Sequence, residues 1–223
     1  MNYTLNTLLL SLAVLMGWMA ACRVSTPSAP GQADVLAFFT SLPAPDTLRV
    51  EVPDDNELDP AGDSIPEALF FSALDSALWQ EIAYLAEPGA VDRIQGLQRF
   101  ALSPDADACV VYIRRSWFKH FSLLLYDRRR QAFTGRHTLA EWYGGEGGQV
   151  LTGSWLLDYD GDGDRDIVRR VIQYAVLLDD NPEVQQVTDE SAEVLLWHNG
   201  RFEAQPVSDE AVLIRRFPIR SYW

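Results

Sequence analysis

Beyond residue 90 the chain alternates between runs of β-branched or aromatic residues and short polar breaks, which is the pattern of successive strands. RIQGLQRFAL, ACVVYIRRSW and HFSLLLYDRR are separated only by SPDAD and WFK, and TGSWLLDY and DIVRRVIQYAVLL stand on either side of an acidic stretch. Further on, EVLLW and RFEA flank His198-Asn199-Gly200. Asn-Gly between two such runs predicts a hairpin, because the type I′ turn that two-residue hairpins favour needs positive φ at both positions. The first third reads differently. A short helix is expected over 34–42, then an irregular segment rich in proline and acid over 43–63. Ser64-Ile65-Pro66-Glu67 has the form of a capping box with proline in the first turn, predicting a helix over 65–74. Residues 78–85 suit helix or strand equally, and Ser208 is placed to cap a last helix over 209–216. No internal repeat is visible. The expectation is a mainly β protein: residues 34–223 form a single antiparallel β domain, sandwich or small propeller-like, with a few short helices.

The first 21 residues break this pattern. MNYTLNTLLLSLAVLMGWMAA carries no charged side chain, is apolar from Leu8 onward and ends in small residues. That is the layout of a secretory signal peptide with a cleavage site. Met19-Ala20-Ala21-Cys22 follows and resembles the lipobox of bacterial lipoproteins, although the usual leucine is Met19 and the leading segment has no Lys or Arg. The resemblance implies that residues 1–21 are removed and that Cys22 becomes the acylated first residue. It places the protein in the cell envelope: in the outer membrane, on a periplasmic or outward-facing leaflet, or at the cell surface. A plain transmembrane anchor is the rival reading, since 5–21 reaches only the lower limit of a span. Residues 22–33, rich in Ser, Pro and Gly, read as a flexible tether that lifts the domain from the membrane. With Cys22 acylated, Cys109 has no partner for an intrachain disulfide, and its setting beside Val110 and Val111 is that of a small buried hydrophobe.

Charge narrows the partners. Thirty-two acidic against eighteen basic residues give a net charge of −14. Such a chain does not suit a nucleic-acid backbone, which needs a positive surface, nor electrostatic docking on anionic lipid. It suits a cation.

The acid is concentrated in Asp158-Tyr159-Asp160-Gly161-Asp162-Gly163-Asp164-Arg165-Asp166. Five carboxylates in nine residues repel one another in any compact turn unless a cation sits among them. Calcium takes six to eight oxygens, and acids at alternate positions of a tight loop supply them. Arg169 stands where an EF-hand would close with glutamate, and the flanks read as strands, so the loop is not of that kind. LLDYDGDGDRDIV resembles the DxDGDGxxD calcium loops of FG-GAP and VCBS repeats, which join two strands. The resemblance implies Ca²⁺ held by Asp158, Asp160, Asp162, Asp166 and the carbonyl of Asp164. It covers about thirteen residues and one loop, which does not imply a propeller built from several such repeats. The competing readings are a solvated, metal-free Asp-rich turn and a dehalogenase-type nucleophile motif. The second is opposed by Asp162 in place of threonine and by the lack of βαβ alternation.

Other chemistry is sparse. His120, His137 and His198 form no zinc-binding spacing, and GxSxG, SxxK and P-loop motifs are absent from the sequence. Gly144-Gly145-Glu146-Gly147-Gly148 reads as a turn between strands. Arg114-Arg115 and Arg128-Arg129-Arg130 read as solvated edge or turn charges, with contact to an acidic partner or glycan as the functional alternative. Trp117, Phe118, Trp142 and Tyr143 are expected in the core rather than in a binding patch. No catalytic residue is assigned and the chain is not expected to be an enzyme. The resulting expectation is a lipid-anchored envelope protein with a structural calcium loop, acting as a binding module for an unknown protein or glycan. The alternatives are a calcium-dependent envelope hydrolase and a membrane-anchored protein with a metal-free turn.

Overall fold

A computed structural model describes residues 34–54, 57–82, 88–145, 147–177 and 185–220. The predicted signal peptide, Cys22 and the tether lie outside these residues, as do residues 83–85 of the ambiguous segment. Among the described residues, no helix is long and apolar enough to cross a membrane.

The described chain opens with a 3-10 helix, Val35–Phe38, begun by the Asp34 carboxylate, which accepts from the Leu36 N–H at 2.9 Å. Short strands β1 (Thr40–Ser41), β2 (Thr47–Val50) and β3 (Asp63–Ser64) follow, then helices α1 (Glu67–Ser72) and α2 (Ser76–Ile82). The long strands are β4 (Arg93–Ser103), β5 (Ala106–Arg115), β6 (Phe118–Asp127), β7 (Ala132–Gly145), β8 (Gly148–Leu157), β9 (Asp166–Leu177) and β10 (Gln185–His198). Strand β11 (Arg201–Gln205) and helix α3 (Glu210–Arg216) complete the order. The protein is therefore mainly β, as the strand pattern predicts.

The eleven strands of the described residues belong to one sheet, ordered β1-β4-β5-β6-β7-β8-β9-β10-β11, with β2 on β8 and β3 on β4. Pairing is antiparallel except between β1 and β4. The sheet divides at β8. Its first half pairs with the end of β7, from Glu141↔Thr152 to Gly145↔Gly148, and its second half pairs with β2, from Val50↔Ser154 to Thr47↔Leu157. The strands before and after this change of partner form two limbs that share a core. Val110, Tyr112 and Leu123 of the first limb join Leu156, Ile167, Leu195 and Trp197 of the second in one apolar cluster.

The outer face of each limb is covered as well. On β5, Cys109, Val111 and Ile113 point away from the shared core and pack with Phe70 of α1 and Leu78 and Ile82 of α2. On β9 and β10, Val168, Ala192 and Val194 meet Leu213 of α3 and Phe217. Strands buried on both faces need apolar residues at every position, which explains unbroken runs such as ACVVYI and SLLLY. Cys109 is fully buried and burial pushes its thiol pKa far up, in line with a packing role.

Three local expectations are corrected. Ser64 does not cap α1: it lies in β3, paired with Gln95, and α1 starts after Pro66 with no side-chain cap. The sheet edge takes the backbone that a capping box would need. Helix α3 is capped by Asp209, whose carboxylate accepts from the Val212 N–H at 3.1 Å, and not by Ser208. Residues 34–42 form one 3-10 turn and a strand instead of a longer helix. The hairpin at Asn199-Gly200 is as predicted, with φ of 51° and 83°.

Candidate metal site

The Asp loop joins β8 to β9, and Leu157 pairs with Asp166 across its base. It is a strand-to-strand connection and not a helical calcium hand. Gly161 and Gly163 adopt φ of 87° and 94°, the left-handed region that glycine enters without penalty. A Cβ at either would meet nothing within 4 Å, so the need for glycine is conformational and not steric.

The loop is wound on its own carboxylates. Asp158 accepts from Gly161 N–H through Oδ1 (2.7 Å) and from Gly163 N–H through Oδ2 (3.1 Å). Asp160 accepts from Asp162 N–H (3.1 Å) and Asp162 from Asp164 N–H (2.8 Å). Arg165 ties the loop to the chain before β2 by donating to the Pro45 carbonyl at 2.6 Å.

Asp158, Asp160 and Asp166 each present a carboxylate oxygen within 4.8 Å of the others. Ligands on opposite sides of a calcium ion stand roughly 4.6 to 5.2 Å apart, twice the usual Ca–O distance, so three such oxygens fit one coordination sphere. The donor set is oxygen only, which suits a hard cation. Asp162 and Asp164 lie outside this group of three. The Asp164 carbonyl faces Arg165, whose Nη1 donates to it at 3.4 Å.

Asp166 differs from the other acids. It is 1% exposed, and its two oxygens accept from the backbone N–H groups of Tyr159 and Trp197, both at 2.9 Å. Burial raises its pKa, and the neighbouring Asp160 and Asp162 raise it further, against the lowering effect of the two N–H groups. The Asp166 carboxyl thus sits in a buried, like-charged place that disfavours its ionised form, a cost an adjacent cation would relieve.

A second polar constellation escaped the sequence. His120 and Ser122, two apart on β6, project on one face of the sheet, and register places Glu141 of β7 opposite His120. His120 Nδ1 lies 3.1 Å from Glu141 Oε2 and its Nε2 lies 2.8 Å from Ser122 Oγ. This resembles a nucleophile–base–acid chain in its connectivity alone. Ser122 is fully buried, and its Oγ also accepts from Arg136 Nε at 2.9 Å. A substrate carbonyl has no approach to that oxygen in this geometry, so the network positions Glu141 and does not perform acyl transfer. The signal for it was the i, i+2 spacing of His120 and Ser122, but the cross-strand partner depends on a register that two bulges in the β6–β7 pairing set.

Burial lowers the pKa of His120, with Arg136 adding to the effect against the opposing pull of Glu141. Burial, with Arg169 and Arg136 beside it, lowers His137 to about 4. Both histidines stay neutral in the fold while the unfolded chain protonates them below about pH 6.5. Unfolding then takes up protons, so these groups contribute stability above about pH 6.5 that is lost as pH falls, for His137 towards 4. The expected loss from His137 alone between pH 7 and 4.5 is about 2 kcal/mol. Urea unfolding in EGTA at the two pH values measures it, and His137→Gln should flatten the dependence.

Comparison of the chain with protein-family models, with curated proteins and with solved structures returns no match to any of the three.

Proposed function

We propose that the protein is an exported lipoprotein of the cell envelope, anchored to the membrane through Cys22, whose β domain is a binding module held together by one structural Ca²⁺ in the loop 158–166. The observation that carries the metal reading is the convergence of Asp158, Asp160 and Asp166 within 4.8 Å at the junction of β8 and β9. A structural role for the ion follows from what its ligands also do. Asp166 bridges the loop to β10 through Trp197, and Asp158 organises the turn through two glycine N–H groups. A cation shared by these residues ties β8, β9 and β10 at one end of the sheet. Outside the cytoplasm calcium is plentiful enough that a site with a dissociation constant of roughly 10⁻⁴ to 10⁻³ M stays occupied. The ion then stabilises the native state by mass action.

The test has two arms. Thermal melts of the detergent-solubilised full chain, in EGTA and across a calcium titration, are expected to show a rise in melting temperature that Asp160→Ala abolishes. Metabolic labelling with palmitate is expected to mark the wild type and not Cys22→Ala. An unchanged melting temperature would leave the loop as a metal-free turn. Equal labelling of the two proteins would remove the lipid anchor.

A further inference from the structure

Opposite the metal loop, at the Gly148 end of β8, the turn after β5 and the end of β7 line an open hollow of about 610 Å³. Its walls are Trp117, Phe118 and Tyr143, and Glu141 and Arg115 bring opposite charges to it. Trp117 is 59% exposed and Tyr143 42% exposed, contrary to the expectation that these aromatics are core. Phe118 stands edge-on between them, with ring centroids 6.5 Å from Trp117 and 6.1 Å from Tyr143 and interplanar angles of 81° and 74°. Trp117 also borders an adjoining hollow of about 320 Å³ with Trp142, Gly144, Gly145 and Gln149, where Trp142 Nε1 donates to Gln149 Oε1 at 3.1 Å.

The buried network described above ends at this pocket. His120, fully buried, holds Glu141 Oε2 from behind, and Ser122, Arg136 and Thr138 hold the network in turn. Glu141 therefore presents its other oxygen, Oε1, with no protein donor on it among the described residues. A carboxylate fixed by a buried relay beside exposed rings is costly to build for packing alone, since each buried polar group needs a partner. It is what a recognition site requires: one preset hydrogen-bonding group among flat apolar walls.

We propose that this pocket binds an uncharged oligosaccharide. The C–H face of a sugar ring is apolar and weakly positive, which suits the negative face of an exposed aromatic ring. A sugar hydroxyl donates readily to a carboxylate oxygen, here Glu141 Oε1, and accepts in turn from water or a neighbouring donor. Glu141 and the net charge of −14 oppose an anion, and two adjoining hollows of about 610 and 320 Å³ exceed what a single ammonium group fills. Trp117, shared by the two hollows, separates two subsites, so binding strengthens from one ring to two or three.

This deepens the binding-module reading and rests on it, but not on the calcium site, which lies at the other end of a ten-residue strand. The test is a glycan array of neutral hexose and N-acetylhexosamine oligomers probed with the full chain in a non-glycosidic detergent. Isothermal titration follows, with the best trisaccharide and its monosaccharide. Expected are binding of at least one oligomer series, tenfold or greater loss in Trp117→Ala, and about tenfold loss in Glu141→Gln, with melting temperatures of both variants near wild type. Asp160→Ala in EGTA, if folded, should still bind. Absence of any saccharide binding by folded protein overturns the proposal, as does affinity unchanged in Trp117→Ala, or binding of tetramethylammonium with no saccharide bound. Loss of calcium-dependent melting with sugar binding retained would remove the metal site and leave this one standing.

Discussion

Asp166→Ala is expected to lower the stability of the calcium-free protein by about 3 kcal/mol, while Asp160→Ala leaves it within about 0.5 kcal/mol and removes only the response to calcium. The two carboxylates sit in one loop but differ in what they hold. Asp160 is exposed and accepts one N–H from its own turn, so its removal frees a group that water can satisfy. Asp166 is buried, and its loss leaves the N–H groups of Tyr159 and Trp197 without acceptors, the second of them in the interior. Each orphaned buried donor costs about 1–3 kcal/mol. Against this stands relief from the burial and like charge that raise the Asp166 pKa, which keeps the expected loss near the middle of the range. For a domain of this size, 3 kcal/mol corresponds to a fall of roughly 6–12 °C in melting temperature. Asp166→Asn keeps one acceptor and discards the charge, so it should fall between wild type and alanine. On the proposed calcium reading, calcium at about a thousand times its dissociation constant is expected to add about 4 kcal/mol to wild type and nothing to either alanine variant. Differential scanning calorimetry in EGTA and in excess calcium separates these terms. Equal losses for Asp160→Ala and Asp166→Ala in EGTA would show that Asp166 has no structural role apart from the ion.

The strands were legible because most of them announce themselves locally. ACVVYI and SLLLY are apolar at every position because both faces of the limb are covered, and Asn199-Gly200 can only turn one way. Strand β7 was not legible. AFTGRHTLAEWYGG mixes polar and apolar residues without period, and two bulges in its pairing with β6 shift the facing residues midway. The same bulges hide the pairing of Glu141 with His120, so the buried network and the pocket above it had no sequence signature. Trp117 and Tyr143 show the limit of composition: an aromatic residue at a strand end is core or surface according to which element covers it, and here none of the described ones does. The Asp loop was readable in outline because its glycine spacing encodes the turn. What the spacing could not convey is that Asp166 belongs as much to the core as to the loop, since Trp197, its second partner, is 31 residues away.

Arg170→Met is expected to cost about 3 kcal/mol and to release α3 from the sheet. Arg170 lies on β9 and is 2% exposed, the largest fully buried side chain described. Its Nη1 donates to the carbonyls of Ile214 (2.6 Å) and Phe217 (2.9 Å), at the end of α3 where a helix leaves carbonyls unpaired. Its Nε donates to the Ser191 carbonyl and its Nη2 to Glu190 of β10. One guanidinium therefore joins β9, β10 and α3. Burial lowers its pKa and Glu190 works against that, so the charge is held by its acceptors and not by solvent. Methionine fills the volume but removes the donor from the carbonyls of Ser191, Ile214 and Phe217, while Glu190, 43% exposed, turns to solvent. Arg170→Lys should rescue little, because an ammonium lacks the planar fork that reaches three directions at once. Removing the exposed pair partner in Arg201→Met, by contrast, should change stability by less than about 1 kcal/mol. Trp155 reports the event, since its ring packs edge-on against Phe217 at 5.7 Å. Detachment of α3 exposes it and shifts its fluorescence to the red at denaturant concentrations where the rest of the sheet still gives native far-UV dichroism. A single coincident transition in Arg170→Met, with a loss under 1 kcal/mol, would mean that the apolar contacts of Leu213 and Phe217 hold the helix without the arginine.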